Sequence, residues 1–325
     1  MSSIKFIDFF AGIGGFRLGM ERNGHKCVGF CEIDKFARQT YKANFDTEGE
    51  WECHDIRTAD PFGMPDADCY CFGFPCQAFS VAGRRGGFED TRGTLFFEVM
   101  RLAKVRKPKY LFAENVLGLL SHDGGNTFGT ILAALDECGY DAQWQVLNSK
   151  DFGVPQNRER VFIVGNIRGT SRPEVFPITK GNGNSLKQLI PGRDAERVYE
   201  INGLSRTLIS GGGGWGGKTG LYLIGTLERP GINDFSNRVY DGNGIARTLM
   251  GSGGNCNDKA GQYLINGRIR RLIPLECFRL QGFPDGHYHN AKKAGVSDSQ
   301  LYKQAGNSVT VNVIQEIASR LPKGG

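Results

Sequence analysis

Short apolar runs alternate with amphipathic stretches through the first 183 residues of the chain. The runs are rich in aromatic and β-branched residues, as buried strands are, and they cover residues 4–10, 26–31, 67–72, 110–113, 143–147 and 160–164. Between them, residues 94–105 and 126–138 carry apolar side chains at helical spacing. This alternation predicts a mostly parallel sheet with helices on both faces. Ligands of such sheets bind beyond the carboxyl ends of the strands.

After residue 183 the pattern changes to short strands, glycines and turns, and an internal repeat begins. The stretch "GLSRTLISGGGGWGGKTGLYLI" (203–224) is echoed by "GIARTLMGSGGNCNDKAGQYLI" (244–265). Each copy predicts a strand, a glycine-rich loop and a second strand. Two copies are too few for a solenoid, so we expect a pair of β-hairpins in a smaller domain. Residues 302–321 return to a helical period and are expected to pack on the first domain.

The formal net charge of +6 is confined to one third of the chain. Residues 184–293 hold 15 Lys and Arg against 9 Asp and Glu, whereas the rest of the chain holds 25 of each. The same third holds 20 of the 47 glycines. A basic, glycine-rich segment suits a phosphate-bearing partner such as nucleic acid, although a positive surface is also common on proteins without such a partner.

Cysteine usage and hydropathy indicate the compartment. The nine cysteines are scattered, residues 1–8 lack the basic start and apolar core of a signal peptide, and no apolar run approaches the length of a membrane span. We therefore expect a cytoplasmic protein with reduced thiols and no membrane association.

Three segments suggest a nucleoside-containing cofactor. The glycines of "FFAGIGGFRLGM" (9–20) follow the first strand and allow a ligand to approach the backbone. Their spacing is not the dinucleotide fingerprint, and a plain tight turn explains them equally well. Glu32 ends the second strand, where a carboxylate can accept hydrogen bonds from ribose hydroxyls. Asp55, beyond a third strand, can receive an adenine amino group.

Cys76 lies in a proline-stiffened turn, "GFPCQ", at the end of a predicted strand. Its thiol could bind a metal, form a disulfide, act as a nucleophile or be inert and buried. A disulfide does not suit a reducing compartment, and Cys69 and Cys71 lack a histidine or second cysteine pair at metal-binding spacing. The turn is followed by a glycine- and arginine-rich stretch typical of a lid. These observations favour the nucleophile.

Two further strand ends carry groups that suit this chemistry. "FAENV" places Glu114 and Asn115 at the same sheet edge as Cys76. A carboxyl group beside a thiol is the pair required when the thiol adds to an electron-poor ring and the acid protonates a ring nitrogen. Arg158 and Arg160 share a face by alternation. They can hold a carbonyl oxygen and lower the pKa of the thiol, or bind phosphate.

Nine motifs in order resemble those of the C5-cytosine DNA methyltransferases, and most closely the bacterial HhaI-type modification enzymes. They are "DFFAGIGGF", "CEIDK", "GFPCQAFS", "GFEDTRGTLFFEV", "AENV", "RERVF", "RTL", "RLQGFPD" and "GNSV". The resemblance implies a class I S-adenosylmethionine-dependent methyltransferase fold, which is α/β and Rossmann-like, plus a small β-rich target-recognition domain. The catalytic domain would comprise residues 1–183 and 294–325, and the recognition domain with its hinge residues 184–293.

The resemblance also implies a mechanism and its residues. The Cys76 thiolate would attack C6 of a cytosine flipped out of double-stranded DNA, and a methyl group would pass from S-adenosylmethionine to C5. Glu114 would engage N3 and the exocyclic amine, Arg160 would hold O2, and Arg158 would support Cys76. The implied cofactor contacts are Phe10, Gly12, Gly14, Glu32, Ile33, Asp55, Pro75, Leu95, Asn307 and Val309. A lid of residues 77–93 would close over the base.

DNA contacts are implied for four residues: Gln77, Ser80, Arg238 and Thr248. Thr207 is the alternative to Thr248, because Arg-Thr-Leu occurs in both repeat copies. Ala82 stands where the HhaI-like enzyme has a serine that helps to fill the vacated base position, so the filling group is left open. The implied protein is a monomer that serves bacterial or phage restriction-modification or protection, with or without a separate cognate endonuclease. The alternatives are an RNA-directed cytosine-5 methyltransferase and a catalytically silent DNA-binding module.

Overall fold

The computed structural model describes residues 3–75, 95–179 and 272–322 in full, together with the backbone of short strands between residues 188 and 271. Several residues singled out above lie outside the described residues: Cys76, Gln77, Ser80, Ala82, Thr207 and Thr248, with the rest of the expected lid. The roles expected for them stay predictions.

A seven-stranded sheet organises the N-terminal part of the chain. Its strands, in chain order, are β1 (Lys5–Phe9), β2 (Lys26–Cys31), β3 (Trp51–Cys53), β4 (Cys69–Gly73), β5 (Tyr110–Val116), β6 (Tyr140–Asn148) and β7 (Glu159–Ile167). Their spatial order is β3-β2-β1-β4-β5-β7-β6. The pairs from β3 to β5 are parallel, whereas β7 is antiparallel to β5. The expected mostly parallel sheet is confirmed, and β7 runs antiparallel to β5 within it.

Helices connect the strands of this sheet. Those described are α1 (Gly15–Glu21), α2 (Lys35–Asn44), α3 (Leu95–Arg106) and α4 (Asn126–Glu137). The last two match the stretches of helical spacing to within one residue at each end. Aromatic rings fill much of the core, for example Phe9 against Tyr70 at 5.1 Å between centroids. No helix within the described ranges is long and apolar enough to cross a membrane.

The C-terminal part contains α5 (Pro274–Leu280), α6 (Asp285–Lys293), α7 (Asp298–Asn307) and α8 (Val311–Ala318). The helical period of residues 302–321 therefore spans two helices. The break covers residues 308–310, and Thr310 has an extended backbone that begins α8. Apolar side chains keep their spacing across the break, so the sequence pattern does not show it.

Two compact units can be distinguished by their internal contacts. One comprises Met1–Leu147, Arg160–Ile178 and Ser308–Gly325, and the other Asn148–Glu159 and Thr179–Asn307. The boundaries expected from the sequence, 183/184 and 293/294, stay a prediction, because most of residues 184–271 lie outside the described part.

The strands described in this region are β8 (Gln188–Ile190), β9 (Val198–Tyr199), β10 (Leu223–Thr226), β11 (Arg238–Asp241), β12 (Gln262–Ile265) and β13 (Arg268–Arg271). Four of them form a sheet in the order β10-β11-β12-β13. β12 lies within the second strand predicted for the second repeat copy, whereas β10 overlaps that of the first copy only at residues 223–224. The first strand and the glycine loop of each copy lie outside the described residues, so the two hairpins are not tested.

Two glycines of α1 allow α8 and the residues before it to approach closely. A Cβ atom on Gly19 would lie 2.6 Å from the Cβ of Ile314, and one on Gly15 would lie 2.7 Å from Cγ2 of Val309. Both separations are shorter than real carbon–carbon contacts, so no side chain fits at either position. The C-terminal segment thus packs on the first helix of the same unit.

Gly19→Ala is expected to destabilise the fold by on the order of 1 kcal/mol, because the added methyl group collides with Ile314. Gly129→Ala is the matched control. Gly129 lies in α4, a Cβ atom there meets nothing within 4 Å, and alanine favours a helix by about 1 kcal/mol over glycine. Urea unfolding measures both changes. A Gly19→Ala protein as stable as Gly129→Ala would contradict the close approach.

Candidate functional site

The chain leaves β1 through a turn of left-handed backbone conformations. φ is 52° at Phe10, 56° at Gly12 and 85° at Gly14. A Cβ atom on Gly14 would lie 2.2 Å from Cε2 of Phe45, so this position requires glycine for both its conformation and its space. The turn places the main-chain groups of these residues at the carboxyl end of β1.

Glu32 follows β2 and closes this turn. Its Oε2 accepts a hydrogen bond from the backbone N–H of Gly12 at 2.8 Å, and its Oε1 accepts one from Asp34 N–H at 2.7 Å. Burial raises the pKa of the Glu32 carboxyl above its ordinary value, although the two backbone N–H groups act in the opposite direction. Two residues expected in a cofactor site are thereby joined by a direct bond. Carboxylate oxygens can accept further hydrogen bonds, so a ligand hydroxyl can still bind.

Ile33 and Asp55 also lie beyond strand ends. The Ile33 side chain is 65% exposed, which is unusual for isoleucine and leaves an apolar surface for a ligand. The Asp55 carboxylate accepts from Arg57 Nη2 at 2.6 Å, and this hydrogen bond lowers the pKa of Asp55. An adenine amino group at Asp55 would share the carboxylate with Arg57.

Of the four remaining residues expected to bind the cofactor, one lies against the glycine turn. Leu95 begins α3 and packs on the main apolar core. Pro75 is exposed at the end of a described stretch, and Asn307 is the exposed last residue of α7 in the second unit. Val309, by contrast, lies against both Gly15 and Gly73, since its Cγ1 is 3.9 Å from where a Gly73 Cβ would be. It connects the glycine turn with the end of β4.

A buried ion pair lies where β5 ends and β7 begins. Arg160 Nε lies 3.0 Å from Glu114 Oε1, and only 15% and 11% of the two side chains are exposed. Burial lowers the pKa of Arg160, and Glu114 acts in the opposite direction. Gly73 is the direct neighbour of Glu114 in the sheet, and a Cβ atom there would lie 3.3 Å from Glu114 Oε2. The backbone that leads to Cys76 therefore passes beside this carboxylate.

Asn115 holds the start of the turn that contains Cys76. Its Nδ2 donates to the carbonyl oxygen of Phe74 at 2.8 Å, and its Oδ1 accepts from the backbone N–H of Val116. The side chain is only 2% exposed. Sequence reasoning placed Asn115 at this edge but assigned it no role. The motif "AENV" gives its position, whereas its partner is set by the pairing of β4 with β5.

Arg158 and Arg160 fall in different units. Arg158 precedes β7, is 3% exposed, and donates from Nη2 to the carbonyl oxygen of Gly306 at 3.1 Å. Its backbone N–H donates to Asn148 Oδ1 at 3.0 Å. Its expected support of Cys76 stays a prediction. Arg238 begins β11, and its side chain is outside the described part.

Asp8 lies in β1, two residues before the turn, and is fully buried. Burial raises the pKa of its carboxyl well above the ordinary value, although the Arg17 guanidinium acts in the opposite direction. A raised pKa means that the fold favours the neutral acid.

The chain is similar to known proteins over nearly its whole length. The sequence model of the family described as C-5 cytosine-specific DNA methylase matches residues 4–323. The type II methyltransferase M.HhaI of Haemophilus parahaemolyticus is 39% identical, over 98% of this chain and 94% of its own. The orphan methyltransferase M.SPRI of Bacillus phage SPR is 32% identical, over 99% and 98%. In fold, the crystal structure of the S. pombe Dnmt2 methyltransferase matches with a TM-score of 0.66 and 18% identity, covering 97% of each chain.

Asp8→Asn is expected to gain stability relative to the wild type as the pH rises. The unfolded chain releases the Asp8 proton above about pH 4, whereas the folded chain keeps it until its own higher pKa, so wild-type stability falls in that window by about 1.4 kcal/mol per pH unit. Asparagine has no such proton. Urea unfolding at pH 5, 6 and 7 measures the difference, with exposed Asp151→Asn as the control. A difference that does not change with pH would show that Asp8 is ionised in the fold.

Proposed function

Because the chain belongs to the C-5 cytosine-specific DNA methylase family, we propose that it methylates C5 of cytosine through a bond between Cys76 and C6 of the base. The methyl donor would be S-adenosylmethionine, and the cytosine would be flipped out of double-stranded DNA. One observation carries this assignment of residues: the buried Glu114–Arg160 pair lies beside the strand end that leads to Cys76.

Glu114 and Arg160 match the polar edge of cytosine. A carboxyl group at Glu114 can protonate N3 and accept a hydrogen bond from the exocyclic amine. The Arg160 guanidinium supplies N–H groups that suit the carbonyl oxygen O2. Because both side chains are almost buried, their hydrogen bonds to the base would be little weakened by water.

The residues proposed for the reaction account for each electron pair. The Cys76 thiolate forms a bond to C6, the C5–C6 π pair moves to C4–C5, and the C4–N3 pair moves to N3, which takes a proton from Glu114. Arg160 stabilises the charge at O2. S-adenosylmethionine, when bound, supplies an electrophilic methyl group on a positively charged sulfur. The C4–C5 pair would then form the bond to that methyl carbon, whose bond to sulfur breaks with its pair left on sulfur, while the N3 pair re-forms the C4–N3 double bond and Glu114 takes the N3 proton back. A base then removes the C5 proton, the pair of that C–H bond re-forms the C5–C6 double bond, and the C6–S pair returns to Cys76.

The residues around the glycine turn fit S-adenosylmethionine. Glu32 can accept hydrogen bonds from the ribose hydroxyls, exposed Ile33 can pack on the adenine ring, and the turn offers the main chain of Gly12, which has no side chain of its own. Val309 supports the turn from the C-terminal segment. The full proposed set is Phe10, Gly12, Gly14, Glu32, Ile33, Asp55, Pro75, Leu95, Asn307 and Val309.

The proposal for DNA rests on sequence and on the relatives. Gln77, Ser80, Arg238 and Thr248 would contact the duplex, and the basic segment 184–293 would attract its phosphates. These contacts must offset the few kcal/mol, roughly, that base flipping costs. We propose a cytoplasmic monomer that protects DNA. An orphan methyltransferase of a phage is among the similar proteins. The proposed protective role therefore includes protection without a cognate endonuclease as well as modification that accompanies a cognate endonuclease. The similar proteins named above are a type II and an orphan methyltransferase. These names do not favour an RNA-directed methyltransferase or a catalytically silent DNA-binding module.

Covalent trapping tests the proposed nucleophile. Bisulfite sequencing of DNA from cells that express the protein first identifies the methylated context. A duplex with 5-fluorocytosine at that site lacks the C5 proton that must leave, so we expect a stable adduct at Cys76 in the presence of S-adenosylmethionine. Cys76→Ser should form no adduct and transfer methyl groups about 10⁴-fold more slowly or worse.

Cys138→Ser is the control, because this half-buried thiol lies in none of the segments assigned to the site. It should behave like the wild type. Methyl transfer by Cys76→Ser at the wild-type rate would refute the nucleophile. Transfer of labelled methyl groups to RNA but not to duplex DNA would instead support the RNA-directed alternative.

Asn115→Asp tests the support of the Cys76 turn. The change keeps the size of the side chain but sets a carboxylate oxygen against the Phe74 carbonyl. We expect kcat to fall about 10–100-fold through misplacement of the thiol, with the Kd of S-adenosylmethionine within twofold of wild type. Asn166→Asp breaks a similar bond, to the Ile167 carbonyl, at the far end of β7. It should lower stability but not kcat per folded molecule. Equal kcat in both variants would contradict the role of Asn115.

A further inference from the structure

We propose that Arg17 is a positioning residue for the methyl donor, which it affects through the Phe45 ring and the glycine turn. This inference rests on the proposed function and adds a residue that would not contact the donor itself. Three contacts connect Arg17 with the donor site: Arg17 with residues 46–50, Phe45 with Gly14, and Gly12 with Glu32.

Arg17 is a buried hub between α1 and the segment that follows α2. Its side chain is only 6% exposed. The guanidinium binds Glu50 with two hydrogen bonds, from Nη1 at 2.7 Å and from Nη2 at 2.9 Å. Nη2 also donates to the carbonyl oxygen of Asp46 at 2.9 Å, and Nε to Glu21 at 2.8 Å. A planar fork is required for this geometry, and lysine does not provide one.

The same guanidinium holds the Phe45 ring. Arg17 Cζ lies 4.6 Å from the centre of that ring and 5.4 Å from the centre of the Tyr41 ring. The two rings contact each other at 4.9 Å between centroids. Phe45 directly precedes Asp46, whose carbonyl Arg17 binds, so ring and backbone are fixed together. Such a cation–aromatic contact is strongest when desolvated, as here.

The held ring supports the glycine turn. A Cβ atom on Gly14 would lie 2.2 Å from Cε2 of Phe45, so the ring occupies the space that a side chain at Gly14 would need. Gly14 has no side chain that could resist movement of the ring, so the contacts of the ring with Arg17 and Tyr41 help to fix its position. The turn continues to Gly12, whose N–H binds Glu32, the residue proposed for the ribose hydroxyls. Loss of the fork should therefore loosen the donor site without removing any group that contacts the donor.

Binding of S-adenosylmethionine by isothermal titration calorimetry tests this role. Arg17→Lys and Glu50→Gln should each raise the Kd about tenfold, while the binding stoichiometry reports the folded fraction separately. S-adenosylhomocysteine, which lacks the sulfonium charge, should lose affinity by the same factor, because the role is positional. A loss confined to one of the two ligands would indicate an effect of charge and overturn the proposal. kcat at saturating donor should stay within about threefold of the wild type.

The matched control is Glu52→Gln. Glu52 lies two residues from Glu50, but its carboxylate pairs with Lys42 and His54 and not with Arg17. The Kd of the Glu52→Gln variant for S-adenosylmethionine should match that of the wild type within twofold. Phe45→Leu tests the transmission, since it should raise the Kd about as much as Arg17→Met, and the double variant should be no worse than either. Additive losses would mean that Arg17 does not act through Phe45. Should Arg17→Lys fail to fold, Glu50→Gln and Phe45→Leu still decide the outcome.

The two proposals fail in different ways. A wild-type protein that binds neither ligand would refute the proposed donor site as a whole. A wild-type protein that binds S-adenosylmethionine, with Arg17→Lys and Glu50→Gln that bind it equally well, would refute the positioning role of Arg17 and leave the proposed function standing.

Discussion

The direction of β7 determines where its arginine lies. β7 is antiparallel to β5, so it begins at the edge where β5 ends, with Arg160 opposite Val116 and within reach of Glu114. Had β7 been parallel, its first residues would lie at the other edge of the sheet, about 20 Å away for a strand of this length. Each of these buried charges would cost several kcal/mol, roughly, if it were left alone. The reversal thus supplies both the pairing of the two charges and their place beside the turn of Cys76.

Glycines near the first strand serve two different physical purposes. Gly12 and Gly14 have positive φ, so they shape the turn that follows β1. Gly15 and Gly19 lie in or at the start of a helix, where their lack of a side chain admits Val309 and Ile314. The spacing of these four glycines differs from the dinucleotide fingerprint because Gly15 and Gly19 serve helix packing. The close approach at Gly15 and Gly19 also brings the C-terminal segment to the first helix. Val309 of that segment lies beside both Gly15, at the end of the glycine turn, and Gly73, at the end of β4.

Strand ends were predictable from the sequence, and the contacts between them were not. Apolar runs locate β4, β5 and β7, and Glu114 and Arg160 are the polar residues directly after the second of these runs and at the start of the third. The bond from Asn115 to the Phe74 carbonyl depends on the register of two strands 41 residues apart, which local periodicity does not contain. The pairing of Arg17 with Glu50 likewise joins residues that are 33 positions apart. Local periodicity does not indicate this pairing either. The break at residues 308–310 is invisible because the apolar spacing of the two flanking helices stays in phase.

Three described arginines serve to hold local structure. Arg17, Arg158 and Arg160 are buried or nearly so, and each is bound to a carboxylate or a carbonyl oxygen within its own unit. An arginine paired with a carboxylate, as Arg17 and Arg160 are, adds little to the field that a distant polyanion feels. Outside residues 184–293 acidic and basic residues are equal in number, so the rest of the chain has no net attraction for phosphate. The surplus of six positive charges within that segment is uncompensated in the sequence. Long-range attraction to DNA therefore has to come from the segment proposed to read it, while the buried arginines elsewhere hold the geometry of the site.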